Sequence, residues 1–217
     1  MLEIDNVELS FDTKKILWSI YIKAEKRKIT SILGKNGSGK SSLLKIIFGN
    51  LTPKYVTIRI NTKYTKNPLY KYHKLSFLPQ HSLLPRHITV ETAFNFFRVD
   101  WNLFISSFEN FKRYKKTKVS DLSSGEIRIL ETYLVLQKES EIILLDEPFS
   151  FIAPIYIEKI KQLLIKAKEN KIVIITDHYF KEVLSVSDCM YLLKDGNCKL
   201  ISNKEVLQKE GYLSINQ

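Results

Sequence analysis
The chain has 217 residues, 44% hydrophobic and 26% charged, an ordinary globular composition with material for one substantial core, or one core with a small attached lobe. No run approaches the ~18 apolar residues of a membrane span, and the opening Met1-Leu2-Glu3-Ile4-Asp5 lacks signal-peptide character, so a cytoplasmic location is expected unless a partner holds the chain at a membrane. The 34 Lys and Arg against 23 Asp and Glu leave a net charge of +11, which favours acidic partners such as nucleotide, anionic headgroups or nucleic acid without choosing among them.

Residues 1–25 alternate between apolar and polar, most strongly in Ile16-Leu17-Trp18-Ser19-Ile20-Tyr21-Ile22, which predicts antiparallel strands with one buried face and Phe11 in an exposed loop between them. Ile29-Thr30-Ser31-Ile32-Leu33 is a short buried strand, and Ser42 to Phe48 is a helix with an apolar face. Between them Gly34-Lys35-Asn36-Gly37-Ser38-Gly39-Lys40-Ser41 fits the pattern G-x-x-x-x-G-K-[ST] without a gap, in the strand–loop–helix context that a phosphate-binding loop requires. Its glycines allow successive N–H groups to point at phosphate oxygens, and the helix behind adds the positive end of its dipole. Lys40 would then reach the β- and γ-phosphates and the Ser41 hydroxyl would ligate Mg²⁺.

Lys54 to Ile60 is a further strand candidate, and the polar residues 61–74 read as loop. Leu75-Ser76-Phe77-Leu78 is a strand stopped by Pro79, which leaves Gln80 where sheet meets loop, the place at which α/β folds position ligand groups. Thr89 to Phe97 and Asn102 to Phe108 are helix-like and aromatic-rich, and predict a small helical lobe inserted at about residues 85–135. The basic run Lys112 to Lys118 reads as a solvated helix face, so nucleic acid is not expected as a partner.

Leu122-Ser123-Ser124-Gly125-Glu126 opens a helix with Ile127, Leu130, Leu134 and Val135 at helical spacing, and on local grounds Ser123 or Ser124 serves as its N-cap. Ile142-Ile143-Leu144-Leu145 suits a central parallel strand buried on both faces, with Asp146 and Glu147 at its carboxyl end. Two buried carboxylates need a cation or a proton-transfer role, which suits Asp146 as a Mg²⁺-holding group and Glu147 as general base on an attacking water. A second buried strand, Ile172 to Thr176, ends in Asp177-His178, and the intervening helix makes a right-handed βαβ unit. The last predicted element is a hairpin across Lys194-Asp195-Gly196-Asn197, with Cys189 and Cys198 in its strands as reduced, partly buried thiols.

In this order the motifs resemble those of the ATP-binding cassette ATPases, the motor subunits of ABC transporters, over nearly the whole chain. Gly34 to Ser41 resembles the Walker A loop, Gln80 the Q-loop glutamine, Leu122 to Glu126 the LSGGQ signature, Ile142 to Glu147 Walker B with its catalytic glutamate, and His178 the switch histidine. Phe11, 29 residues before Lys40, sits where that family stacks an aromatic on adenine. The resemblance implies an α/β fold: a P-loop NTPase core with a mostly parallel sheet, an N-terminal antiparallel β-subdomain and a small helical subdomain, all in one domain over 1–217. It implies ATP and Mg²⁺ as ligands, with Phe11, Gly34, Asn36, Gly37, Ser38, Gly39, Lys40, Ser41 and Ser42 on the nucleotide, and Ser41, Gln80 and Asp146 around the metal. Glu147, His178 and Lys40 would act on the γ-phosphate.

It further implies a head-to-tail dimer, with a second copy or with a different cassette, in which Ser123 and Gly125 contact the nucleotide of the partner. Separate membrane-spanning subunits would dock around Gln80 to Phe97 and hold the chain at the inner face of the membrane. Three departures stand out: Ser124 and Glu126 in the signature, Ser150-Phe151-Ile152-Ala153 where the family has Ser-Gly-Leu-Asp, and a short stretch between Gln80 and Leu122. The first departure leaves Ser123 and Gly125 in place. Ala153 raises the alternative of a regulatory subunit with low turnover, and the positive charge that of a non-transport relative acting on ribosomes or DNA.

Overall fold
The computed structural model describes residues 1–66, 68–72, 74–202 and 207. β1 (Leu2–Phe11) and β2 (Lys14–Ala24) form an antiparallel hairpin whose inward residues include Leu2, Ile4, Val7 and Leu9 from one strand and Leu17, Ile20 and Ile22 from the other. The spacing from Ile4 to Val7 breaks the two-residue period, and a bulge restores the phase there, with Asn6 at φ 53. Phe11 is the last residue of β1 rather than part of a loop, because the turn uses only two residues, with Asp12 at φ 50.

β3 (Ile29–Leu33) runs into the glycine-rich loop and α1 (Lys40–Phe48), which ends at Gly49 with φ 103 and its N–H on the Lys45 carbonyl. β4 (Tyr55–Ile60) pairs with the free edge of β1. The polar stretch that follows is not all loop: β5 (Lys63–Tyr64) pairs back onto β4, and a 3₁₀ turn covers Leu69–Tyr72, while 67 and 73 lie outside the described residues. The reversal between β4 and β5 falls on Asn61 and Thr62, both at positive φ, a conformation that a threonine does not announce.

β6 (Leu75–Leu78) precedes α2 (Val90–Phe97) and α3 (Trp101–Ser107), whose N-caps are the Thr89 and Asp100 side chains. The basic run occupies the end of a 3₁₀ helix, Glu109–Tyr114, and the turns after it, not a long helix face. Phe94, Phe104, Phe108 and Phe111 are fully or almost fully buried and meet in stacked, tilted and edge contacts with ring centroids 5.0–6.0 Å apart, which gives these short helices a shared core. α4 (Ser124–Gln137) supplies Tyr133 to the same cluster.

β7 (Ile142–Asp146), α5 (Pro154–Lys168), β8 (Ile172–Thr176), α6 (Phe180–Val186), β9 (Cys189–Lys194) and β10 (Asn197–Ile201) complete the described elements. The described strands form a four-stranded antiparallel sheet, β2-β1-β4-β5, and a six-stranded sheet, β10-β9-β3-β8-β7-β6, in which only β10 is antiparallel to its neighbour. The central strands are apolar on both faces because both are covered. Ile143, Leu145, Val173 and Ile175 belong to one core with α4, α5 and the phenylalanines; Ile142, Leu144, Ile172 and Ile174 belong to the other with α1 and the four-stranded sheet. The carboxyl ends of β3, β6, β7 and β8 therefore share one edge, and each hands the chain to a residue singled out above: Gly34, Gln80, Glu147 and His178.

Candidate functional site
The loop after β3 is shaped by close approaches. A Cβ at Gly34 would come within 2.5 Å of Ser38 Oγ and 2.6 Å of the Leu193 carbonyl, so nothing larger than glycine fits. Gly39, at φ 105, is the N-cap of α1 and sits against Leu17. Lys40 is buried and its Nζ donates to the carbonyls of Gly34 at 2.7 Å and Lys35 at 3.1 Å. Burial pushes this ammonium down, while Glu147, Asp146 and Asp177 pull it back up. An ammonium hydrogen-bonded to two neutral carbonyls would bind a phosphate oxyanion more strongly than these partners.

Asn36, Gly37 and the run from Gly39 to Ser42 line a cleft of about 260 Å³ whose remaining lining is Phe11, Ile16, Gln80 and Glu147. The fold thus brings most of the predicted residues to one place. Phe11, the last residue of β1, is half exposed where it lines this cleft. Ser38 lines a neighbouring cavity of about 440 Å³, and its buried Oγ has no hydrogen-bond partner among the described residues.

Asp146 and Glu147 are both buried but differently held. Asp146 Oδ1 accepts from Thr176 Oγ1 at 2.6 Å, while Oδ2 is buried without a partner among the described residues. An orphaned buried carboxylate oxygen is costly, and a cation beside it removes the cost. Asp146 is not itself in the lining of the cleft, but its carboxylate, the Ser41 hydroxyl and the Gln80 amide oxygen are all hard oxygen donors, the chemistry that suits Mg²⁺ shared with phosphates. Glu147 adopts φ 58, sparsely populated for any residue but glycine, and is pinned there: its N–H donates to the Thr176 carbonyl at 2.7 Å and its carbonyl accepts from Arg128 Nε at 3.2 Å. Its carboxylate accepts from Ser150 Oγ at 3.2 Å and lies 3.6 Å from His178 Nδ1. His178 follows Asp177, whose two oxygens accept from the N–H groups of Phe149 and Tyr179, each at 2.9 Å, with Oδ1 3.7 Å from His178 Nδ1. Burial pushes the Asp177 carboxyl up, and those two N–H groups together with His178 bring it partly back.

Ser123 and Gly125 do not line this cleft. Ser123 is the N-cap of α4 in a reciprocal capping box: its Oγ accepts from the Glu126 N–H at 3.3 Å, and its own N–H donates to the Glu126 carboxylate at 2.8 Å. A Cβ at Gly125 would lie 2.5 Å from the Phe151 carbonyl, so this glycine is demanded by the packing of the loop after β7. Sequence reasoning passed over Arg128, Glu131, Ser150, Thr176 and Asp177 as parts of the site. The one available signal was the pair Arg128 and Glu131, charges set among the buried positions of a helix.

The family model described as ABC transporter matches residues 17–150. The chain is 29% identical over 212 residues to the arabinose import ATP-binding protein AraG of Mannheimia succiniciproducens, an alignment covering 90% of this chain and 42% of that protein, so the chain spans less than half of that relative's length. It is 31% identical over 202 residues to the zinc import ATP-binding protein ZnuC of Wolbachia pipientis wMel, covering 87% of this chain and 77% of that protein. A solved structure of an ATP binding subunit of an ABC transporter superposes with a TM-score of 0.82 over 100% of this chain and 96% of that one, at 17% identity, a likeness of fold alone. With its loop, strand-end carboxylates and fold as described, the chain belongs to the ABC transporter family and is one of its ATP-binding, ATP-hydrolysing subunits.

Proposed function
We propose that this chain closes on ATP with a second cassette and thereby drives transport through separate membrane-spanning subunits. The observation that carries this reading is that Phe11, the Lys40 loop, Gln80 and Glu147 line one cleft at the shared carboxyl edge of the parallel strands. ATP would lie with its base on Phe11 and its phosphates on the N–H groups of 36–42. Lys40 would leave its carbonyl partners for the β- and γ-phosphates. Ser41, Gln80 and Asp146 would hold Mg²⁺, directly or through water, and the ion when bound supplies charge neutralisation at the phosphate oxygens. Glu147, positioned by its pinned backbone, would take the proton of the attacking water, and His178 would donate towards the γ-phosphate. Ser123 and the Gly125 N–H, at the amino end of α4, would cover the nucleotide of the partner cassette rather than their own, which agrees with their lying outside the cleft.

The helical lobe, at about residues 85–135, would carry the membrane subunit, which docks around Gln80 to Phe97. Phe96 and Leu103 support this by exposing 81% and 62% of their surface. No described helix is long and apolar enough to cross a membrane. Purification of the chain from its own cells, in detergent and then high salt, tests the reading. Stoichiometric retention of a polytopic membrane protein is the expected result; ribosomal proteins or nucleic acid surviving the salt wash in its place would overturn it.

A further inference from the structure
Arg128 and Glu131 are 4% and 1% exposed, on a helix whose other buried residues are mostly apolar. A charge is kept in such a place only when its hydrogen-bonding capacity is filled, so the partners reveal what the fold uses it for. The Arg128 fork reaches the ends of two neighbouring strands. Nη1 donates to the Pro79 carbonyl after β6 at 2.7 Å, Nη2 to the carbonyls of Asp146 and of Glu147, the latter at 3.0 Å, and Nε also to that of Glu147. Glu131 acts on the far side of the same loop: its Oε1 accepts from Ser82 Oγ at 2.8 Å, the Leu83 N–H at 2.6 Å and the Leu84 N–H at 2.9 Å. The two side chains face each other with Nη1 and Oε2 3.8 Å apart.

Gln80 therefore sits between two anchors, Pro79 held by Arg128 and Ser82 held by Glu131, and the first of these also holds the peptide that orients Glu147. We propose that Arg128 and Glu131 are positioning residues that tie the Gln80 loop to the backbone of Glu147, so that displacement of the loop is carried to the carboxylate through this one pair. The inference rests on the reading of Glu147 as the general base. Guanidinium is the group for this task because its donors sit in a rigid planar fork, so the carbonyls of two strand ends are held at fixed directions, whereas an ammonium is a compact point donor on a flexible stem. Glu147, at φ 58, depends on outside contacts to stay where it is.

The test uses the purified full chain with Arg128→Lys, Glu131→Gln, the double variant and Glu147→Gln. Lysine keeps the charge and glutamine keeps an acceptor oxygen, so each variant retains part of the network and the fold. In Arg128→Lys, kcat for ATP hydrolysis is expected to fall about tenfold with KM within twofold, since a small misplacement of a reacting group costs rate before it costs binding. The double variant should be no slower than the slower single one, as for residues acting as one unit. Hydrogen exchange at the Leu83 and Leu84 amides, which do not touch Arg128, should accelerate at least tenfold in Arg128→Lys while the β8 amides stay protected. Unchanged exchange at Leu83 and Leu84, or a kcat within twofold of the native value, would overturn the link. Glu147→Gln separates the two readings: full activity there removes the general base itself, whereas an inactive Glu147→Gln beside an unaffected Arg128→Lys removes only the link.

Discussion

Replacing Gly125 with alanine sets two effects of opposite sign against each other. Gly125 lies in the first turn of α4, and alanine in a helix is worth up to about 1 kcal/mol over glycine, so propensity alone predicts a stabilised protein. The added Cβ, however, would stand 2.5 Å from the Phe151 carbonyl, about an ångström inside ordinary contact. Neither side yields easily. Gly125 is next to the capping box, and the loop around Phe151 is tied down by Phe149 N–H on Asp177 and by Ser150 N–H on the Glu147 carbonyl at 3.2 Å. Overpacking of this kind costs about 1–3 kcal/mol, so after the full propensity gain the net change is a loss of up to about 2 kcal/mol. For a chain of this size that corresponds to a fall in Tm of up to roughly 8 °C. Calorimetry on the purified variant measures it directly, and because the strained loop contacts Glu147 the ATPase rate should drop as well. A Tm equal to or above the native value would mean that propensity outweighs the clash and would refute the packing argument for this glycine.

Ala153 is the exposed N-cap of α5 and offers no side-chain acceptor, so Ala153→Asp should cap the helix and stabilise the chain by about 1 kcal/mol, seen as a rise of roughly 2–4 °C in Tm. A lowered Tm would show that the loop does not tolerate a carboxylate there. Burial pushes the Cys198 thiol up to about 12 and also raises that of Cys189. At pH 8 the native Cys198 is therefore almost wholly protonated, and its alkylation by iodoacetamide should be at least a hundredfold slower than in the urea-unfolded chain; equal rates would contradict its burial.

The elements legible in the sequence are those whose cause is local. A two-residue alternation, a run of apolar residues between turn signals and the gapless Gly34 to Ser41 pattern each state their own conformation, and every strand from β3 to β10 except β5, which reads as loop, is legible in that way. The glycine loop is the strongest case, because Gly34 and Gly39 serve close approaches and a left-handed backbone that few other residues allow. The misreadings have local causes too. A two-residue turn carried Phe11 into the strand, and Asn61-Thr62 turned the chain without a glycine to mark it.

What the amino-acid order determined by itself is thus the strands, the helices and the chemical identity of the groups at their ends. Tertiary structure alone decided which of those groups meet. Gln80 and Glu147 are 67 positions apart and share a cleft because β6 and β7 are adjacent in the sheet, an order of pairing that no local period encodes. The same holds for Arg128 and Glu131, which sequence presents only as two charges on a helix. They acquire a role because α4 packs across the ends of β6 and β7, and a buried charge must find its partners in whatever the packing brings near.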